Sequence, residues 1–262
     1  MANMFNFLRA SEVDGVNVDS ADRMRAHGEV LAKKPLLQQV FREFHEMFRA
    51  LDDKFFTGVG KRIELGAGVA PIRDTYPDVL ATDIVEDLNL DLVLNAQDMD
   101  LEKNSVRSFY GQNCFHHFPQ PSEFFAELDR TLVPGGGAIV LEPYYGPLAS
   151  FLYKRLFKTE GFDKKFPKWE TPADGPMHGA NQALSYIVFV RDREIFEEKF
   201  PNLEIVHQEV CKNHLKYLIS GGLNFNQLLP NFMGPVIEFF QWVSSPFNRW
   251  TALHHVVVIQ KV

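Results

Sequence analysis

Two glycines with one residue between them, Gly66 and Gly68, follow the apolar run "RIEL". Glycine permits a tight turn and leaves no side chain between the backbone and a ligand. If a helix follows this turn, its free N–H groups would face that ligand. The dinucleotide fingerprint has a third glycine three residues after the second, and Pro71 stands there, which disfavours a nicotinamide dinucleotide. An ordinary turn is the alternative interpretation of the pair.

Acidic residues follow the next two predicted strands and could bind the rest of a nucleoside. Asp83 closes the run "VLATD", where a carboxylate can accept hydrogen bonds from both hydroxyls of a ribose. Asp98 could accept a hydrogen bond from the exocyclic amine of an adenine, and Met99 offers an apolar surface for the ring. These residues could equally belong to ordinary turns and loops.

A histidine pair, His116 and His117, comes after the fourth predicted strand. An imidazole titrates at about pH 6.5, so either ring is a candidate general base at neutral pH. The alternative is that the pair caps a loop or packs on the fold. Glu142 ends the fifth predicted strand, where it could contact a substrate or cap a turn. Because no His, Cys or carboxylate cluster shows metal-ligand spacing, no metal is predicted.

Short apolar runs alternate with helical patterns between residues 62 and 142. The strands and helices that this pattern predicts must position the candidate site residues. It predicts an α/β fold with a doubly wound, mostly parallel seven-stranded sheet and an aromatic-rich insertion before the last strand. An arm and a lid helix are predicted over 1–57, and the main domain over 58–262 with substrate-binding insertions at about 144–182 and 212–252. A short helix is expected at "PIRDTYP", and another with Ser122 as its N-cap.

Composition excludes some classes of partner. The net charge of −7 disfavours sequence-independent binding to nucleic acid or to an anionic membrane surface. The two cysteines fit a reducing, cytoplasmic setting, and the N-terminus lacks the apolar core of a secretory signal. No apolar run has the length of a transmembrane segment, so none is expected.

Taken in order, "ELGAGVA", "TDIV", "NAQDMD" and "PGGG" resemble the class I S-adenosylmethionine-dependent methyltransferases, in particular the small-molecule group. The resemblance covers roughly residues 60–145 and implies a Rossmann-like fold. It departs from the family at Arg107, where an Asp often opens the fourth strand. The cofactor-binding residues that it implies are Glu64, Gly66, Gly68, Asp83, Ile84, Asp98, Met99 and Asn113.

The resemblance also implies an activity, which is methyl transfer from S-adenosyl-L-methionine by in-line displacement, with S-adenosyl-L-homocysteine as product. The aromatic-rich second half suggests a small or amphiphilic acceptor, such as a lipid-like or glycan-like molecule. One alternative is a protein that keeps the cofactor fold and acts as a partner or regulatory subunit without turnover. A nicotinamide oxidoreductase is a third hypothesis, which Pro71 disfavours.

Overall fold

The computed structural model describes residues 8–16, 21–86, 90–156, 160–172 and 180–262. Its centre is a seven-stranded sheet with the order β3-β2-β1-β4-β5-β7-β6. β1 to β5 run parallel, and β7 is antiparallel to both β5 and β6, so the predicted fold class is confirmed. The strands are β1 Lys61–Leu65, β2 Val79–Asp83, β3 Leu92–Val93, β4 Val106–Gln112, β5 Leu132–Pro143, β6 Leu203–Val210 and β7 His254–Lys261.

Helices cover both faces of the sheet. On one face lies α2, whose apolar side chains recur every three or four residues and pack on β5 and β7. On the other face, α3 and the segment around a π-helical turn at Ile187–Arg191 enclose a cluster of phenylalanines. The α-helices are α1 Ala21–Ala32, α2 Pro35–Phe55, α3 Pro121–Thr131, α4 Pro147–Leu156, α5 Leu184–Tyr186, α6 Arg193–Lys199, α7 His214–Ser220, α8 Gly234–Ser244 and α9 Asn248–Thr251.

Two local predictions were wrong. The helix expected after the glycine loop is only a 3-10 turn at Ile72–Asp74, so no long helix presents its N-terminus to the loop. Ser122 is not an N-cap, because α3 already begins at Pro121, whose missing N–H costs nothing in a first helical turn. The "PGGG" segment lies within β5.

Arg107, the departure from the family pattern, has a structural role. Its Nε donates to Asp52 Oδ1 at 2.7 Å, and Arg62 Nε and the hydroxyl of Tyr110 donate to Asp52 Oδ2. The Asp52 side chain has no solvent exposure, and this network joins α2 to β1 and β4.

The segment 212–252 forms α7, α8, α9 and two 3-10 turns. α8 leaves aromatic side chains on the surface, among them Phe239 and Trp242. Within the described ranges, no helix combines the length and apolarity that crossing a bilayer requires. Of the insertion predicted at 144–182, residues 157–159 and 173–179 lie outside the described residues.

Candidate functional site

A cavity of about 620 Å³ opens at the carboxyl ends of the parallel strands. Its size is within the range of small-molecule sites, and its place is where open α/β sheets bind ligands. The segments after β1, β2, β3 and β4 line it together with Pro143 at the end of β5. Arg23, Met24 and His27 of α1 line it from the N-terminal part of the chain.

The glycine loop forms one wall of this cavity. Gly66 and Gly68 have φ angles of +64° and +55°, which side-chain-bearing residues rarely adopt. A Cβ on Gly66 would lie 2.9 Å from the Cβ of Cys114, whereas a Cβ on Gly68 would have only the Gly66 backbone oxygen nearby, at 3.9 Å. The loop therefore needs glycine at both positions, and at Gly68 it leaves room for a ligand against the backbone.

Glu64 lies beneath this loop at the end of β1. Its Oε2 accepts a hydrogen bond from the Ile72 backbone N–H at 2.7 Å, and its backbone oxygen accepts one from the Thr82 hydroxyl. Burial raises the pKa of Glu64 well above its ordinary range. The residue lines the cavity, and its carboxylate holds the loop in shape.

Asp83 and Ile84 line the cavity at the end of β2. The two carboxylate oxygens of Asp83 accept the backbone N–H groups of Gly68, at 3.4 Å, and Val85, at 3.2 Å. Since a carboxylate has about four acceptor sites, two remain for a ligand. Ile84 is 55% exposed, so its apolar side chain is accessible to a ligand in the cavity.

The structure does not bring Asp98 and Met99 to the cavity. Asp98 is exposed, and Met99 packs in the core below α3. After β3, the lining residues are instead Leu94, Asn95, Ala96 and Gln97. The lining residues thus directly precede the two predicted ones along the chain.

Asn113 follows β4 with a φ of 52°, and its N–H donates to the Leu141 oxygen at 2.8 Å. Its buried Oδ1 atom has no hydrogen-bond partner among the residues that the structure describes. A buried acceptor without a partner is costly, so this atom in the cavity wall is suited to receive a ligand's N–H.

His116 is buried between two carboxylates. Its Nδ1 lies 2.6 Å from Glu142 Oε2, and its Nε2 lies 3.7 Å from Glu160 Oε2. Glu142 also accepts the Phe115 N–H at 2.9 Å, so it fixes both the ring and the turn that carries it. Burial opposes charge on the ring, but Glu142 and Glu160 outweigh it and raise the pKa of His116 to about 9.

His117 stacks on the ring of His116 with 4.2 Å between ring centroids. Burial, together with the charge of His116, lowers the pKa of His117 to about 3, so this ring is neutral at pH 7. Its Nδ1 is buried and has no hydrogen-bond partner within the described part of the chain. The two predicted base candidates therefore lie together in the cavity wall but differ in charge.

Glu160 is the functional candidate that the sequence did not indicate. It lies in the segment between α4 and α5, far from the histidine pair along the chain. The potential ligand atoms of His116, His117 and Glu160 all lie within 4.8 Å of one another. Spacing along the sequence could not reveal this group, because only the fold brings the third residue to the first two.

Comparisons with known proteins agree with the sheet and the loop. The family described as "Methyltransferase domain" matches residues 66–140. No curated protein matches the chain. The chain is similar to the crystal structure of geranyl diphosphate C-methyltransferase from Streptomyces coelicolor, with 12% identity and a TM-score of 0.48, over 97% of this chain and 89% of that one. It is also similar to Haemonchus contortus phosphoethanolamine N-methyltransferase 2, with 12% identity and a TM-score of 0.43, over 82% of this chain and about half (52%) of that one.

The mixed seven-stranded sheet with its cavity beside a glycine loop defines a Rossmann-like methyltransferase fold. The match over residues 66–140 shows that this part of the chain is similar to the methyltransferase domain family.

Proposed function

We propose that the cavity binds S-adenosylmethionine along the glycine loop and transfers its methyl group to a small or amphiphilic acceptor. The observation that carries this proposal is the meeting of Gly68 and Asp83 at one wall of the cavity. The loop leaves its backbone bare, and the adjacent carboxylate keeps free acceptor sites that suit the two hydroxyls of a ribose.

The adenine and the methionine moiety of the cofactor would contact other residues that line the cavity. Ile84, Ala96 and Gln97 would enclose the adenine, since they line the cavity on the far side of Asp83. The buried Oδ1 of Asn113 would accept a hydrogen bond from the ammonium group of the methionine moiety. In this proposal, the histidine pair, three residues further on, would lie at the acceptor end of the cavity.

Bound S-adenosylmethionine supplies a methyl group on a sulfonium, which needs no activation by the protein. The acceptor would attack this carbon as the C–S bond breaks, and the protein's task would be to align the acceptor and exclude water. Alignment alone is worth about 7–11 kcal/mol in favourable cases. We propose that His116 and His117, which line the cavity, perform this alignment, with Glu142 orienting the ring of His116.

Calorimetry with S-adenosylmethionine, S-adenosylhomocysteine and NAD tests the cofactor, and transfer of a labelled methyl group tests turnover. We expect the first two ligands to bind and NAD not to bind. Turnover should be found in a panel of amphiphilic alcohols, carboxylates and amines. A folded protein that binds neither methyl-donor ligand would refute the cofactor assignment, and binding of NAD alone would favour the oxidoreductase hypothesis.

A further inference from the structure

We propose that His116, His117 and Glu160 form a site for one divalent transition-metal ion at the acceptor end of the cavity. Each residue offers one ligand atom, and the three atoms lie within 4.8 Å of one another. Metal bonds of about 2.1 Å at tetrahedral angles separate ligand atoms by roughly 3.4 Å. His116 Nε2 and Glu160 Oε2 are 3.7 Å apart, so small side-chain shifts would bring the group to metal-binding distances.

Two buried imidazole atoms of this group lack hydrogen-bond partners. They are His116 Nε2 and His117 Nδ1, and neither has such a partner among the described residues. Leaving a buried polar atom without a hydrogen bond is unfavourable. A metal ion between them would satisfy both.

Glu142 contacts the ring nitrogen of His116 that is not a proposed metal ligand. It accepts a hydrogen bond from His116 Nδ1 at 2.6 Å, which leaves Nε2 as the atom that can donate its lone pair to a metal. Metal-binding histidines usually have a carboxylate or carbonyl partner on the other ring nitrogen. Glu142 is therefore a positioning residue for the site.

The local charge also favours a cation. The carboxylates of Glu142 and Glu160 both lie beside His116, and the cationic Arg23 lines the same cavity. Two nitrogen ligands and one oxygen ligand favour zinc, cobalt, nickel or iron over magnesium or calcium.

Three protein ligands leave at least one coordination position open, as in catalytic metal sites. That position would face the cavity and bind an oxygen atom of the acceptor, such as a hydroxyl or a carboxylate. This last step depends on the proposed methyl transfer, whereas the metal site itself does not.

The test is a titration of the metal-stripped protein with Co²⁺, followed by its visible absorption, with Zn²⁺ as competitor. We expect one ion per chain in the unmodified protein. His117→Gln and Glu160→Gln should each weaken binding at least tenfold. Glu142→Gln should weaken it by about 10–100-fold, as other losses of a ligand's carboxylate partner do.

His207→Gln is the matched control. His207 and Glu209 form a similar pair on β6, with 3.6 Å between Nε2 and Oε1, but both side chains are partly exposed. This variant should bind Co²⁺ as the unmodified protein does. The site would be refuted if no stoichiometric ion binds, if His117→Gln and Glu160→Gln bind normally, or if His207→Gln loses binding to the same degree.

Calorimetry with S-adenosylhomocysteine on the same metal-stripped samples separates the two proposals. If S-adenosylhomocysteine binds while Co²⁺ does not, the metal site fails and the cofactor assignment stands. If Co²⁺ binds while S-adenosylhomocysteine does not, the metal site stands and the proposed function fails.

Discussion

Single side chains decide what the cavity can bind. Asp83 is half-buried beside Gly68 and has acceptor sites left for a ligand, whereas Asp98 lies exposed outside the cavity. Both acids come at or after the end of a strand, so the sequence pattern does not distinguish their roles. Their different positions give a direct test of which one touches the cofactor.

We expect Asp83→Ala to weaken S-adenosylhomocysteine binding by about 1–3 kcal/mol, because hydrogen bonds to a charged acceptor are lost. Asp98→Asn should leave the affinity within about twofold, because no contact between Asp98 and the cavity exists in the described structure. Calorimetry measures both. Equal losses in the two variants would contradict the geometry, and unchanged affinity in Asp83→Ala would remove this residue from the site.

His116→Gln should lower turnover by about 10²-fold, as misplacement of the acceptor does, while cofactor affinity changes little. The physical reason is that His116 faces the acceptor end, and a glutamine amide can still donate to Glu142. Labelled-methyl turnover and calorimetry provide the two measurements. A loss of affinity equal to the loss of turnover would instead place His116 beside the cofactor.

At the scale of elements, polar contacts fix α2 to the sheet as firmly as its apolar face does. Asp52 is buried among Arg62, Arg107 and Tyr110, and it is the only one of these four that is negatively charged. Removing it would leave the Arg107 guanidinium partly buried with only backbone oxygens as partners. The packing of α2 against β4 thus depends on the carboxylate of Asp52.

Asp52→Ala should lower the free energy of unfolding by about 3–5 kcal/mol, the usual result of breaking a buried ion pair. The neighbouring Asp53→Ala is the control, because its side chain is 59% exposed and pairs with Arg49 at 3.6 Å. A surface pair contributes about 0–1 kcal/mol. Urea unfolding followed by circular dichroism measures both, and similar effects in the two variants would show that the network does not hold α2.

The stability of the whole molecule should depend on pH, because histidine side chains are buried in its interior. His255 lies inside the sheet, with its Nε2 at 2.8 Å from the Ser185 hydroxyl and the rings of Tyr144 and Tyr145 nearby. Burial lowers the pKa of His255 to about 4. Between that value and about 6.5, the unfolded chain binds a proton that the folded chain does not.

Stability should therefore fall as the pH drops from about 6.5 towards 4, by up to about 3 kcal/mol through this residue. Above about pH 6.5 both states are neutral at this ring and its effect vanishes. His255→Gln should make the dependence of unfolding free energy on pH shallower in this window. The partly exposed His207→Gln is the control, and the same slope in all three proteins would refute the effect.

The sequence by itself determined the alternation of strands and helices, the glycine loop and the acid after β2. These features are local, since periodicity and turn residues act over a few neighbours along the chain. They were enough to predict the sheet. Local patterns could not show that the segment after the loop forms only one 3-10 turn. That turn depends on a tertiary contact between the Glu64 carboxylate and the Ile72 N–H.

Only the tertiary structure decided what surrounds the histidine pair. Glu142 reaches His116 from β5, and Glu160 reaches it from the segment beyond α4. Such contacts depend on how distant segments pack, and no local pattern encodes that. The same reason explains why Asp98 and Met99 were placed at the cavity, since a shift of two residues along a loop changes which side chains face inward.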